Sequence, residues 1–372
     1  MAKRIIFGST PIINNYYWNN ALKLHGYNTK TVMFKITTFV TKNIIWDINL
    51  KSKISEGIFL RFLSLAKIGF KAIFLFLRSL NQFDIVVISF DGFLIGKIPL
   101  IWRFQSYIFK ALNKKVIVIP YGGDSYVYKN IKSEEVHQGL LDSYPMGKYK
   151  QKKISQRVEY WKKHSDVILP GFMHADLFRE TDLYSFKILK VPSPLIIDTN
   201  VWRSNKKSIG KGQVIEIAHM PNHRGFKGTE KILEVIKELE NEGFNIKFHL
   251  IEGLPNDEVR KLLQDKIHIL IDQIYATGYG LNAIEGMASS CVVMANLSDQ
   301  RYTRIYEGTY LDECPIISIN KSNLKHELIR IILNHNRIND LSKLSRNYVE
   351  NYHSYKYFPV VFQEILHAAD KT

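Results

Sequence analysis

Residues 269–296 constrain the fold more than any other stretch of the chain. They read as a buried strand, a glycine-bearing turn, a short helix and a second buried strand, with the strands over 268–271 and 291–295. The turn carries Gly278 and Gly280, which let backbone come close to a ligand and leave N–H groups unpaired where the helix starts. A helix start of this kind, at the positive end of its dipole, accommodates an anion. Glu285 follows Gly280 by five residues, about one and a half turns into the helix at roughly 3.6 residues per turn. That spacing lets its carboxyl face the crevice at the carboxyl end of the strand, where open α/β sheets bind ligands. Taken without any ligand, the same pattern is an ordinary strand–helix–strand unit with a buried glycine turn.

A related unit lies upstream. A strand over 214–218 leads into His219-Met220-Pro221-Asn222-His223-Arg224-Gly225-Phe226-Lys227-Gly228-Thr229, and a helix then runs to about 241. Arg224 and Lys227 offer a planar fork and a point charge beside helix N–H groups, the donor set that a diphosphate requires. Strands over 246–250 and 267–271 and a helix over 257–264 join the two units into a βαβαβ run. A strand over 315–319 and helices over 324–333, 336–352 and 355–369 close the chain.

The first half alternates in the same way. Strands are expected over 3–8, 28–34, 83–90, 115–120, 167–170 and 186–191, with helices over 14–25, 56–80, 97–112 and 154–164. Gly8 ends the first strand, either for the turn alone or to admit a ligand. Tyr121-Gly122-Gly123-Asp124 follows the fourth strand, where Asp124 either contacts a ligand or caps a turn. Residues 125–150 show no clear period and read as a loop near the site. The segment 192–212 holds Pro-Ser-Pro and a run of Lys, Ser and Gly, and reads as the boundary between two domains.

At 372 residues, 46% of them hydrophobic, the chain can bury two cores of ordinary size and is not of disordered composition. Its net charge of +16 is unevenly placed: residues 1–195 hold 29 Lys and Arg against 13 Asp and Glu, and the remainder holds 22 of each. A basic half beside a neutral one implies an anionic partner for the first half. Within it, Lys67, Lys71 and Arg78 fall within about 40° of one another on the 56–80 helix, taking 100° per residue. That helix suits either a bilayer interface or a core position with one wet face. Its longest uncharged run, 72–77, is far short of the ~20 residues that span a bilayer. Cys291 and Cys314 have no metal spacing and read as reduced core residues. The chain opens directly on a strand without a signal-like apolar stretch, so a cytoplasmic protein is expected. No nucleic-acid motif or basic-aromatic stacking pattern is present, and no nucleic-acid partner is expected.

Tyr279-Gly280-Leu281 and Glu285-Gly286-Met287-Ala288 resemble the signature of retaining, nucleotide-sugar-dependent glycosyltransferases of the GT-B fold, family 4 (glycosyl transferases group 1). The family pattern has a first Glu where Thr277 stands here. A subgroup with Ile-Asp-Gln before the turn, as Ile271-Asp272-Gln273, also lacks it. The His219-x-Pro221-Asn222 and Lys227-Gly228-Thr229 sets resemble the phosphate-binding segment of that subgroup. The resemblance implies two Rossmann-like doubly wound domains facing across a cleft. Residues 1–195 would bind the acceptor and 196–352 the donor, and a helix in 353–372 would cross back to the first domain.

It implies Arg224 and Lys227 on the donor diphosphate and Glu285 on the ribose. Gly8, His219, Thr277, Gly278, Tyr279, Gly280 and Leu281 would line the donor site, and Gly123 and Asp124 the acceptor site. Related enzymes read His-Gly-Ser/Thr-Asp at the latter, from which Tyr121 departs. The implied reaction is sugar transfer with retention to a glycan or polyprenyl-phosphate-linked acceptor, in bacterial surface polysaccharide or glycoconjugate assembly. The nucleotide sugar is a substrate, and no cofactor or metal is expected. An anionic membrane surface at the inner face of the cell membrane would receive the basic half. Two rival readings are a nucleotide-sugar epimerase of the same fold and a non-catalytic basic adaptor for membrane or nucleic acid.

Overall fold

The computed structural model describes residues 3–34, 44–50, 58–169, 171, 195–205, 208–298 and 308–371. The strand expected over 186–191 lies outside them, as do residues 192–194, 206 and 207 of the expected boundary segment. Two wholly parallel sheets carry the fold. The first contains β1 (Arg4–Ser9), β2 (Asn28–Phe34), β3 (Ile48–Leu50), β4 (Ile85–Ile88), β5 (Lys115–Val118) and β6 (Val167–Ile168), in the order β3-β2-β1-β4-β5-β6. The second contains β7 (Ile215–His219), β8 (Ile246–Leu250), β9 (Ile269–Gln273), β10 (Val292–Ala295) and β11 (Ile317–Ser318), in the order β11-β10-β9-β7-β8. Both are doubly wound, as expected. The strand order reverses between β1 and β4 and again between β7 and β9, and a crevice opens at the carboxyl ends of such strands.

The apolar runs of the sequence follow from this burial. β4, β9 and β10 are buried at every position, because helices cover both faces of a parallel sheet. On one face of the first sheet, Trp18 of the helix Ile13–Leu24 packs against Phe358 and Phe362, with ring centroids 4.5 and 6.0 Å apart. Those two residues belong to the last helix, Phe358–Asp370, which returns to the first sheet and buries Val361, Ile365 and Ala369 there as well. Lys3 pairs with Asp370 at its far end. On the other face, Phe76 of the helix Ile58–Ser79 meets Phe109 of the helix Phe104–Ala111 at 5.7 Å. Among the described residues no helix is long and apolar enough to cross a membrane.

Three elements differ from the sequence expectation. The helix expected over 97–112 begins at Phe104, after a 3-10 turn at Ile101–Arg103; Pro99 and Leu100, the latter at φ 65°, interrupt its start. Residues 125–150, expected as a loop, contain the helix Glu134–Ser143. Ser133 caps it by accepting from the Val136 N–H at 3.2 Å, and Glu134 and Glu135 occupy its first turn, where negative charge suits the helix dipole. The next helix, Gly147–His164, starts seven residues before 154, because its lysine-rich opening turns bury nothing until Ile154 and so show no apolar period.

The helix Glu134–Ser143 joins the two halves. It lies on the one-turn helix Arg224–Lys227 so closely that a Cβ on Gly139 would come within 2.7 Å of the Gly225 carbonyl. Tyr126 and Tyr144 from the first half approach Phe226 and His223 from the second, at 5.7 and 4.4 Å between ring centroids. Lys321 pairs with Glu135 across the same junction. The segment that the sequence marks for phosphate is therefore covered by the other domain.

Candidate active site

The carboxyl ends of β7 and β9 meet at the reversal point of the second sheet. β7 ends in His219, and the chain then turns through the one-turn helix Arg224–Lys227 to Gly228, at φ 78°, before the helix Thr229–Asn241. A side chain on Gly228 would also collide with Ile274, so glycine is required there on both counts. The tight turn sends Lys227 inward. Its ammonium pairs with Asp272 at the end of β9, and the two side chains are only 6% and 1% exposed. The other carboxylate oxygen of Asp272 accepts the Gly280 N–H at 3.1 Å. One carboxylate thus holds both the buried cation and the residue before the helix Leu281–Ala288.

That helix points its first turn at this pair. The N–H groups of Leu281 and Asn282 have no acceptor within the helix. The Asn282 amide donates to the Met220 carbonyl at 2.6 Å, which ties the helix start to the β7 loop. Lys227 carries three N–H donors, and its pairing with Asp272 need not engage all of them. Glu285, one turn further along, is buried. Burial pushes its carboxyl up to about 8, helped by the nearby charge of Asp272 and opposed by Asn256 and Lys227. At neutral pH it therefore keeps its proton and can both donate to and accept from hydroxyl groups. Tyr17, on the first domain's helix Ile13–Leu24, lies within electrostatic reach of Glu285.

The remaining expected donor residues divide by what holds them. Both ring nitrogens of His219 are engaged, one with the Ile271 carbonyl and one with the Thr229 hydroxyl, each at 2.8 Å. Burial pulls its imidazole down to about 4, so it stays neutral and braces β7, β9 and the helix behind Lys227. The Gly278 N–H donates to the Asn296 carbonyl at 2.6 Å, and its own carbonyl accepts from Gln273 at 2.9 Å. The Tyr279 ring is buried, with its hydroxyl against Tyr348 and His353 at 3.0 and 3.1 Å. Gly278 and Tyr279 shape the turn, while Thr277 sits half-buried at its bend. Leu281 contributes its N–H to the crevice and its side chain to the first domain's core.

Arg224 departs from the expected clamp. Its side chain is 41% exposed and is held at 2.8–2.9 Å by Glu230 and Glu252, away from the buried Lys227. It borders a cavity of about 480 Å³ between the domains, together with Glu134, Asp142 and Tyr275. The two cations stand only three residues apart, and a helical turn sends them to different surroundings. A phosphate would have to draw Arg224 from its two carboxylates.

On the first domain, Gly8 is needed for packing. A Cβ there would lie 2.3 Å from the Val32 carbonyl of β2. Gly8→Ala is expected to cost about 1–3 kcal/mol of stability by overpacking. Urea unfolding and nucleotide calorimetry check this together: lost nucleotide affinity at unchanged stability would return Gly8 to the donor site. Asp124 is likewise committed, accepting from the N–H groups of Phe90, Tyr121 and Gly122 at 2.9, 3.0 and 3.2 Å. It fastens the loops after β4 and β5, the capping alternative of the sequence reading, and burial pushes its carboxyl up to about 7. Gly123 borders a small cavity of about 160 Å³ with Tyr126, Tyr144 and Lys150. Asp91, after β4, is held by Arg157 on one oxygen and by the Tyr121 hydroxyl on the other.

Asp272, Asn282, Asp91 and Tyr17 had no assigned role in the sequence reading. For Asp272 there was a signal: an acid that directly follows the apolar run Ile269-Leu270-Ile271 calls for a cation or a hydrogen-bond donor. Among the described residues no group of three or more His, Cys, Asp or Glu is placed to hold a metal ion.

No family model and no curated protein matches the sequence. Solved structures match the fold at low identity. The Anabaena HepE structure in complex with UDP-glucose superposes with a TM-score of 0.59 at 9% identity, covering 98% of this chain and all of that one. A glycosyltransferase from Rickettsia africae gives 0.54 at 14% identity, with full coverage of both chains. A Listeria monocytogenes protein assigned as a UDP-N-acetylglucosamine 2-epimerase gives 0.52 at 12% identity, covering 95% and 94%. The fold is GT-B: two Rossmann-like domains facing across a cleft.

Proposed function

We propose that this chain transfers a sugar, with retention, from a nucleoside-diphosphate donor to a glycan or polyprenyl-phosphate-linked acceptor in surface polysaccharide or glycoconjugate assembly, in the manner of family 4. The observation that carries the reading is the placement of Lys227. A buried ammonium stands at the reversal point of the second sheet, beside the open first turn of the helix Leu281–Ala288, with the protonated Glu285 on that helix. Cleavage of a glycosyl–phosphate bond places developing charge on the diphosphate. Lys227 and the Leu281 and Asn282 N–H groups would neutralise it in a water-poor crevice, where such contacts are strongest. Glu285 would hold the ribose hydroxyls. Asp272 would keep Lys227 charged and aimed, and Arg224 would join by exchanging Glu230 and Glu252 for phosphate oxygens. Thr277 stands where the family has its first Glu, which leaves Glu285 without that carboxylate partner and argues against two-carboxylate hydrolysis.

The test is donor turnover across a panel of nucleotide sugars, with and without glycan and polyprenyl-phosphate acceptors, in the intact protein and in Glu285→Met. Acceptor-dependent release of nucleoside diphosphate, with the anomeric configuration kept and turnover reduced in Glu285→Met at unchanged folding, is the expected result. Acceptor-independent formation of a new nucleotide sugar would replace transfer by epimerisation, the activity assigned to one structural neighbour. Wild-type turnover in Glu285→Met, which can neither donate nor accept a hydrogen bond to the ribose, would remove that residue from the site.

A further inference from the structure

The helix Ile58–Ser79 presents to solvent what a buried helix hides. Leu63, Phe70, Phe74 and Leu77 are 47%, 74%, 62% and 57% exposed. At 100° per residue they fall within about 60° of one another, a single ridge along the helix. The opposite face is the buried one, where Ala72, Phe76 and Ser79 meet the core. Lys67, Lys71 and Arg78 are exposed along one flank of the ridge, and the helix carries no acidic residue. The neighbouring helix Phe104–Ala111, which touches it through Phe76 and Phe109, adds exposed Phe104 and Tyr107 beside Arg103 and Lys110. Scattered apolar residues on a surface are ordinary, but a ridge of Phe and Leu side chains bordered by cations is the composition of an interfacial helix.

We propose that this face docks the first domain on an anionic bilayer, with Phe70, Phe74 and Leu77 entering the acyl boundary and Lys67, Lys71 and Arg78 at the phosphate level. Charge decides the occupant. A second copy of the chain joined through the same face would set each cationic flank against its own image, which opposes association. An anionic surface instead gains from every one of those charges. The docking places the lipid-linked acceptor of the proposed reaction at the surface from which it is drawn; it rests on that reading only for its purpose, and the docking itself is independent of the transfer chemistry.

The experiment is co-sedimentation of the full chain with vesicles of phosphatidylcholine alone or mixed with phosphatidylglycerol. It compares the wild type with Phe70→Ser/Phe74→Ser and Lys67→Glu/Lys71→Glu. Uridine diphosphate affinity and light scattering are followed in the same samples. Binding to the anionic vesicles alone, weakened about tenfold or more in each double variant and by raised salt, is the expected outcome. Equal binding to neutral vesicles, or undiminished binding in Phe70→Ser/Phe74→Ser, would overturn it. So would a dimer that those serines dissolve. Nucleotide affinity belongs to the second domain, so loss of vesicle binding at normal nucleotide affinity separates failure of docking from failure of the donor site.

Discussion

Replacing Lys227 by methionine is expected to weaken nucleoside-diphosphate binding by about tenfold or more and to cost about 3–5 kcal/mol of stability. The two losses have different origins. Binding loses a charge-assisted contact to phosphate. Stability falls because Asp272, 1% exposed, is left as a buried carboxylate without its cation. Lys227→Met/Asp272→Asn separates them, since the asparagine oxygen can still accept the Gly280 N–H while the buried charge is gone. The double variant should recover most of the stability and none of the affinity. Urea unfolding and calorimetry with uridine diphosphate measure both. Wild-type affinity in Lys227→Met would take this residue out of the donor site. Unchanged stability would show that the pair does not brace it.

Much of this arrangement was legible in the residues. Near-continuous apolar runs such as Ile85–Ile88 and Val292–Ala295 read as buried strands of parallel sheets, so two doubly wound sheets were expected. The turn at Gly278–Gly280, the helix behind it and the position of Glu285 came from spacing alone. Partners that meet only in three dimensions were not legible. Arg224 and Lys227 look equivalent in sequence, and the one-turn helix between them sends one to Glu230 and Glu252 and the other to Asp272. His219, Gly278 and Tyr279 sit where a ligand would be expected, yet their polar atoms are consumed by Thr229, Asn296, Tyr348 and other internal partners. The helix Glu134–Ser143 had a readable cap in Ser133 with two following acids, masked by its weak apolar period.

Glu285→Gln is expected to gain stability over the wild type as pH rises from about 5 to 8, and His219→Gln to gain in the opposite direction, as pH falls. The Glu285 carboxyl goes from 4.5 to about 8 on burial, so between those values the folded chain holds a proton that the unfolded chain has released. Stability from this group is complete below pH 4.5 and is lost as pH climbs through 8, at about 1.4 kcal/mol per pH unit while the difference is a whole proton. Glutamine has no proton to lose, so the gap between variant and wild type widens by on the order of 3 kcal/mol across the window. His219 runs the other way. Its imidazole falls from 6.5 to about 4 on burial between Ile271 and Thr229, so the unfolded chain takes up the proton first as pH drops. Its contribution is complete above pH 6.5 and is lost as pH falls through 4. Between 4.5 and 6.5 the two slopes oppose each other, which hides both groups in the wild type and makes the single substitutions the informative measurement. Urea midpoints at half-unit steps from pH 4.5 to 8 give the slopes directly, free of the constant offset that each lost hydrogen bond adds. Curves for Glu285→Gln that run parallel to the wild type from pH 5 to 8 would mean an ordinary solvated carboxylate, and the buried, proton-holding ribose contact would have to be abandoned.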